Sequence, residues 1–268
     1  MRDTPCTVGI IGGRGQLGSW CGKLFRDLGC SVLVADVGTE LTTSALVSQV
    51  EVVVVTVPIG VTGEVIKEIS PQLREEQLLV DLTSVKTPFV PEMERSKAEV
   101  LSVHPMFAPS LASTAGQSCV VCRVRVGCKS RWFEDVLRGA GLRLVEMTPD
   151  AHDRTMAIVQ GLTHFQAIVA GHCMAAMGFQ PSESLTTASP VYKARLAMIG
   201  RILSQNPRLY AEIQIFNPYV RSVLSQVQRS SEKLAGFVEA RDVEGFAQEF
   251  VRVREALGGF CEQSLEGE

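Results

Sequence analysis

Three stretches of this sequence combine residue types and spacing that can do chemistry. The first is Gly13-Arg-Gly15-Gln-Leu-Gly18, a G-x-G-x-x-G pattern. In such a loop Gly13 is expected to permit a tight turn, Gly15 to let the backbone approach a pyrophosphate, and Gly18 to allow close helix–strand packing. The second is Asp81-Leu-Thr-Ser-Val-Lys86 and the third Ser102-Val-His-Pro-Met-Phe-Ala-Pro109. His104 stands immediately before Pro105, which confines its backbone to extended conformations. A histidine held there suits acid or base work near neutral pH. The chemistry implied is proton transfer beside a bound dinucleotide.

These residues need elements to hold them. Residues 7–12, 31–36 and 52–57 are apolar runs, the last (Val-Val-Val-Val-Thr-Val) hydrophobic on both faces. Two-sided runs of this kind fit a parallel sheet covered by helices. Residues 78–82, 100–103, 119–124 and 142–145 are further strand candidates. The glycine pattern falls after the first strand and opens the first helix, while the other two stretches fall just past the fourth and fifth strands. Open α/β sheets bind ligands at those carboxyl ends. The alternation predicts an α/β fold, a Rossmann-type doubly wound sheet domain over residues 1–148. Beyond Thr148-Pro-Asp150 the spacing turns helical over 151–178, 182–204, 207–228 and 242–263. An all-helical domain is therefore expected over residues 149–268.

The glycine loop, placed between strand and helix, predicts a dinucleotide on the helix N-terminus, where free N–H groups favour an anion. Asp36, at the end of the second strand, would accept from ribose hydroxyls and repel a 2′-phosphate. NAD is thus the expected cofactor, with Arg14 a complication because an arginine there tolerates that phosphate. The cofactor-binding candidates are Gly13, Gly15, Gln16, Leu17, Gly18, Asp36, Val57 and Pro58.

Taken in order, Gly12-Gly-Arg-Gly-Gln-Leu-Gly18, Val57-Pro58, Asp81-Leu-Thr-Ser-Val-Lys86 and Val103-His-Pro-Met-Phe107 resemble the successive motifs of prephenate dehydrogenases. So do His152-Asp153, Gln160-Gly-Leu-Thr-His164-Phe, Ser189-Pro-Val-Tyr192 and Met198-Ile-Gly-Arg201. The resemblance spans nearly the whole chain and is nearest the dehydrogenase module of bifunctional chorismate mutase–prephenate dehydrogenases, with no mutase domain expected. It implies an NAD-dependent oxidoreductase that converts prephenate to 4-hydroxyphenylpyruvate in aromatic amino acid (tyrosine) biosynthesis. His104 would take the proton of the C4 hydroxyl as hydride leaves C4, and loss of CO2 from C1 would aromatise the ring. The family pattern places Ser84 as a bridge between His104 and that hydroxyl. An unperturbed histidine would lose activity below about pH 6.5. His164 matches a second active-site histidine, with Gln160 one turn before it. His152 and Asp153 match as well, but at a helix start Asp153 serves the helix dipole equally well, and neither is taken as catalytic.

The substrate is a dicarboxylate and calls for cations, ideally arginine. In the bifunctional enzymes a substrate-binding arginine follows a segment that corresponds here to Tyr210-Ala-Glu-Ile. Ungapped alignment puts Tyr219 at its place and Arg221 two residues later, past an Asn217-Pro218 helix restart. Lys86, Arg195 and Arg201 are other cationic candidates, the last two also suited to surface ion pairs. The departure leaves 4-amino-4-deoxyprephenate and arogenate open as alternative substrates. A β-hydroxyacid dehydrogenase or imine reductase would share fold and cofactor but leans on a lysine where this chain has His164. A non-catalytic NAD-sensing module would need neither His104 nor Ser84.

Composition narrows the classes further. Charged residues make up 21% of 268, with a net charge of −3 and no basic run, so a nucleic-acid partner is not expected. Cys119-x-x-Cys122 invites a zinc reading, but on a strand positions three apart point to opposite faces, and no second pair completes a site. No metal is expected. The first strand, beginning by about Cys6, argues against a leader peptide and for a cytoplasmic protein. The stretch 156–180 lacks Lys, Arg, Asp and Glu, yet Gln160, His164, Gln166 and His172 would be costly in lipid. A helix buried between the subunits of a homodimer accounts for it better.

Overall fold

The computed structural model describes residues 7–263. Among these, seven strands form one sheet: β1 (Thr7–Ile11), β2 (Ser31–Ala35), β3 (Val52–Val55), β4 (Leu78–Asp81), β5 (Glu99–Pro105), β6 (Ser118–Arg125) and β7 (Arg143–Glu146). Their spatial order is β2-β1-β3-β4-β5-β6-β7. β1 to β5 are parallel. β6 runs antiparallel to β5, and β7 parallel to β6. The exception follows from the connection: residues 106–117 contain no helix, and an antiparallel neighbour needs no crossover. Cys6, where the first strand was expected to begin, lies outside the described residues.

Helices α1 (Gln16–Asp27), α2 (Thr43–Gln49), α3 (Ile59–Ile69), α4 (Val90–Met93) and α5 (Cys128–Gly139) follow or join the strands. The four valines of β3 show how both sheet faces are covered. Val52 and Val54 share an apolar cluster with Phe25 of α1 and with Phe133 and Leu137 of α5. Val53 and Val55 share the opposite cluster with Leu46 of α2 and with Ile59 and Ile66 of α3. All four are fully buried. Each such side chain contributes about 1.5–3 kcal/mol, so the central strand is a rigid platform for what lies at its carboxyl end.

After β7 the described chain is helical. The Thr148 hydroxyl accepts from Ala151 N and caps α6 (Pro149–Met156). The backbone then widens into a π-helical segment (Ala157–Leu162) before α7 (Thr163–Ala176). A 3-10 segment (Pro181–Thr187) precedes α8 (Pro190–Leu203), so the helix expected over 182–204 is two pieces, restarted by the Ser189 cap and Pro190. The run expected over 207–228 is also broken, into α9 (Pro207–Phe216) and α10 (Val220–Ala240). Pro218 lacks an N–H, and Asn217 Oδ1 accepts from Tyr219 N at 2.9 Å, as a cap does. α11 (Val243–Leu257) and α12 (Phe260–Gln263) follow.

By compactness the chain divides into two units, one ending at Val220 and one starting at Arg221. In the second, Lys233 pairs with Glu249 at 2.7 Å and Phe237 packs edge-on against Phe246. No helix among the described residues is long and apolar enough to cross a membrane.

Candidate active site

The glycine turn joins β1 to α1. Its left-handed residue is Gly12 (φ 84°), not Gly13, so the tight turn assigned to Gly13 belongs one position earlier. Gly13 is required by packing instead: a Cβ there would stand 2.7 Å from the Val34 side chain. At Gly18 a Cβ would stand 2.4 Å from Gly12 O and 2.7 Å from Thr56 Oγ1, which fixes the helix hard against the turn. Gly15 differs, since the nearest atom to an added Cβ is Gly12 O at 3.3 Å. Gly15 also caps α1 without a side chain, which leaves the first-turn N–H groups of Gln16 and Leu17 without a cap from it. Val57 backs onto Gly12, its backbone N 2.9 Å from where a Cβ would lie, and Pro58 caps α3. Asp36 follows β2. Its carboxylate accepts from Arg14 N at 2.8 Å and from Val37 N at 2.7 Å, while the Arg14 guanidinium reaches Val37 O.

Two strands along the sheet from this turn, at the end of β4, Asp81 is fully buried. Its Oδ1 accepts from Lys86 Nζ at 2.9 Å and from the Thr83 hydroxyl at 2.6 Å, and its Oδ2 accepts from the Ser102 hydroxyl. Lys86 Nζ also donates to Val103 O at 2.6 Å. This corrects the expectation that Lys86 binds substrate: its ammonium has no exposure and is committed to an internal carboxylate and a strand carbonyl. The lysine bridges β4 and β5 at the level of His104.

His104 near the end of β5 is buried and hydrogen-bonded on both ring nitrogens. Nδ1 lies 2.8 Å from His152 Nε2, and Nε2 lies 3.4 Å from Gln160 Nε2. His152 Nδ1 in turn lies 2.7 Å from Asp153 Oδ1. The Asp153 carboxylate also accepts from Lys86 N (2.9 Å) and Thr87 N (2.7 Å). Burial, with the neighbouring His152 ring and the Lys86 ammonium adding to it, holds the His104 pKa well below the ordinary histidine value. Burial also lowers His152, against the pull of Asp153. Burial works to raise Asp153, but hydrogen bonds from His152 and Thr87 overcome it and keep the carboxyl below its ordinary range. The expectation of an unperturbed His104 near pH 6.5 is corrected accordingly.

Gln160 sits in the π-helical segment, a wide turn of the kind found often at functional sites. Its Oε1 is buried without a hydrogen bond among the described residues, as is Nδ1 of His164. The His164 ring packs on Tyr210 of α9, with centroids 4.5 Å apart, and its pKa is lowered by burial. Ser84 is half-buried on the loop after β4. Neither hydrogen bond of His104 is to Ser84, so the expected bridge is not formed here. The Tyr219 hydroxyl donates to Asp150, and the Arg154 guanidinium lies 4.7 Å from its ring centre. Arg221 is exposed at the start of the second unit, while Arg195 and Arg201 are exposed on α8. His152 and Asp153, left aside in the sequence, lie at the centre of the cluster. The signal for them was an adjacent His-Asp pair at a helix start, which sequence alone does not distinguish from capping. Cys119 and Cys122 lie within β6, where burial pushes their thiols up to about 12 and about 11.

Comparison with known proteins identifies the family and the fold. A model of the prephenate dehydrogenase nucleotide-binding domain matches residues 31–118, and one of the prephenate dehydrogenase dimerization domain matches residues 148–252. The chain is 35% identical to a probable arogenate/prephenate dehydrogenase of Methanocaldococcus jannaschii, over 92% of this chain but 60% of that one. It is 32% identical to the T-protein of Haemophilus influenzae, over 96% of this chain and 68% of that one. The crystal structure of Aquifex aeolicus prephenate dehydrogenase with hydroxyphenyl propionate and NAD+ superposes with a TM-score of 0.72 over 94% of this chain and 97% of that one. At 17% identity that likeness is one of fold. With both domain models matched in order and a relative above 30% identity over 96% of this chain and 68% of its own length, this chain belongs to the prephenate dehydrogenase family.

Proposed function

We propose that this chain catalyses the NAD-dependent oxidative decarboxylation of prephenate to 4-hydroxyphenylpyruvate. The observation that carries the reading is His104. It is buried near the end of β5, held neutral by its surroundings, and engaged by His152 on Nδ1. Nε2 is then the nitrogen available to accept the proton of a substrate hydroxyl, with Gln160 beside it.

The glycine turn fits NAD. The open position at Gly15 and the free first-turn N–H groups of α1 suit a pyrophosphate, and Asp36 supplies acceptors for ribose hydroxyls. Gln16 and Leu17 would contribute those N–H groups, with Val57 and Pro58 bordering the turn. When bound there, NAD supplies the acceptor for the hydride that leaves C4. On the protein side, His104 holds the hydroxyl proton and Lys86 keeps the ends of β4 and β5 in register through Asp81. Gln160 and His164 offer the substrate polar atoms that are otherwise unpartnered.

In the same reading residues 1–148 bind nucleotide, and residues 149–268 serve substrate binding and pairing with a second copy. The support for a homodimer is the dimerization-domain match together with apolar side chains left open on the helices, such as Met177 (82% exposed) and Val191 (75%).

The test is a steady-state assay following NADH formation with prephenate, 4-amino-4-deoxyprephenate and arogenate in parallel. Strong turnover of prephenate is expected. Turnover chiefly of an amino analogue would move the substrate assignment, and no turnover of any of the three with NAD still binding would remove the reaction.

A further inference from the structure

With Asp153 ionised and both buried rings neutral, the Asp153–His152–His104 chain has one consistent set of protons. An ionised carboxylate can only accept, so His152 must carry its proton on Nδ1 to donate to Asp153 Oδ1 over 2.7 Å. That leaves His152 Nε2 as an acceptor, and the group facing it at 2.8 Å is His104 Nδ1. His104 must then hold its proton on Nδ1 and present a bare lone pair at Nε2. Gln160 agrees, since its amide nitrogen, a donor, lies 3.4 Å from Nε2. We propose that Asp153 and His152 are positioning residues that fix the tautomer of His104, so that its Nε2 faces the substrate as an acceptor. The proposal rests on the reading of His104 as the base.

The anchor of this chain is specific. Asp153 is fully buried, and its two oxygens are held by the backbone N–H groups of Lys86 and Thr87 as well as by His152. Its backbone oxygen accepts from Asn217 Nδ2 at 2.9 Å, which pins α6 from the other side. The carboxylate therefore cannot turn away from His152 without leaving the buried Lys86 N–H and the half-buried Thr87 N–H unpaired. The ring of His104 meets that of His152 nearly edge to face, at 65° and 5.1 Å between centroids, so the nitrogens point at one another rather than stack. When the hydroxyl proton arrives on His104 Nε2, the Nδ1 proton stays in place. His104 becomes a cation whose Nδ1–H still donates to His152, and no proton need pass to Asp153.

The chain contains four histidines, so a histidine-labelled sample resolves each ring. Long-range 1H–15N spectra of the whole protein, labelled with [15N]histidine, report which nitrogen of each ring carries hydrogen. His172→Gln and His164→Gln variants assign the exposed ring and the one packed on Tyr210. In the wild type His104 is expected protonated on Nδ1 and bare on Nε2. Asp153→Asn keeps an acceptor oxygen for the Lys86 and Thr87 amides but turns an NH2 toward His152. The tautomers of both His152 and His104 should then reverse, and kcat should fall about 10²–10⁴-fold with KM and NAD affinity little changed. His152→Phe keeps a ring in place but removes the acceptor, and should leave His104 a mixture of tautomers.

A bare Nδ1 on wild-type His104 would overturn the proposal, as would an unchanged His104 tautomer in Asp153→Asn. Should Asp153→Asn fail to fold, the wild-type spectrum and His152→Phe decide it. The spectra need no substrate. The expected tautomer in a protein that turns over no cyclohexadiene would therefore keep the proton chain and discard only the reaction.

Discussion

In the proposed reaction His104 is the side chain on which the chemistry turns, and its surroundings give it two measurable properties. His104→Ala should lower kcat by about 10²–10⁴-fold, the usual worth of a positioned base. NAD affinity, measured by fluorescence or calorimetry, should be unchanged; near-normal turnover would discard the mechanism. The second property is acid tolerance. The charged and titratable groups facing His104 are His152 from α6 and Lys86 from the loop after β4, and with burial they hold it neutral. A base works when unprotonated, so activity is lost as pH falls through a pKa that lies well below the ordinary histidine value. In a profile of kcat/KM the acid limb should come well below pH 6.5, and a midpoint at or above 6.5 would contradict the burial. Lys86 behaves in the opposite sense to a substrate ligand. Lys86→Met leaves Asp81 buried without its counter-charge and should cost about 3–5 kcal/mol in denaturant unfolding. A stable Lys86→Met with raised KM would return the lysine to the substrate.

Elements decide which of these residues meet. In the glycine turn a methyl at Gly18 strikes backbone of the same turn, so Gly18→Ala should unfold or strongly destabilise the nucleotide half. Gly15→Ala meets only one atom at 3.3 Å and should fold while weakening NAD binding, a contrast that melting curves and NAD titration would expose. Much of this level was legible in the sequence. All seven strands follow from apolar runs between turn residues, and the glycine loop, Asp36 and the change to helices after Glu146 lie where their patterns put them, whereas His104, expected just past the fifth strand, is a residue of β5 itself. The reverse direction of β6 was not legible, because a strand pattern carries no direction and only the helix-free 106–117 connection hints at it. Nor was the role of His152 and Asp153, since their partners are 48 and 67 residues away in sequence. Lys86 read as a ligand because charged side chains are rarely buried whole. The π-helical segment was hidden because helical periodicity assumes 3.6 residues per turn, and that assumption set Gln160 one turn before His164 on a single face.

At the scale of the whole molecule, apolar surface is the main unbalanced quantity. Ile158, Val159 and Val169 along the π-helical segment and α7, and Val191 on α8, are between 42% and 75% exposed, more than a helical layer normally leaves to water. Light scattering at micromolar concentration should give twice the chain mass, and a monomer there would contradict pairing. Within the first unit the hydrogen-bonded centre is assembled from two distant stretches of chain. Asp81, Lys86 and His104 come from the sheet, while His152, Asp153 and Gln160 come from the helices after it. During synthesis the sheet residues leave the ribosome first. Until residues 149–160 follow, the amides of Lys86 and Thr87 lack their carboxylate and the His104 ring is free to hold its proton on either nitrogen. Nucleotide binding should therefore arise earlier in translation than competence for proton transfer, and a stalled chain ending near 148 would be the sample in which to see the two events apart.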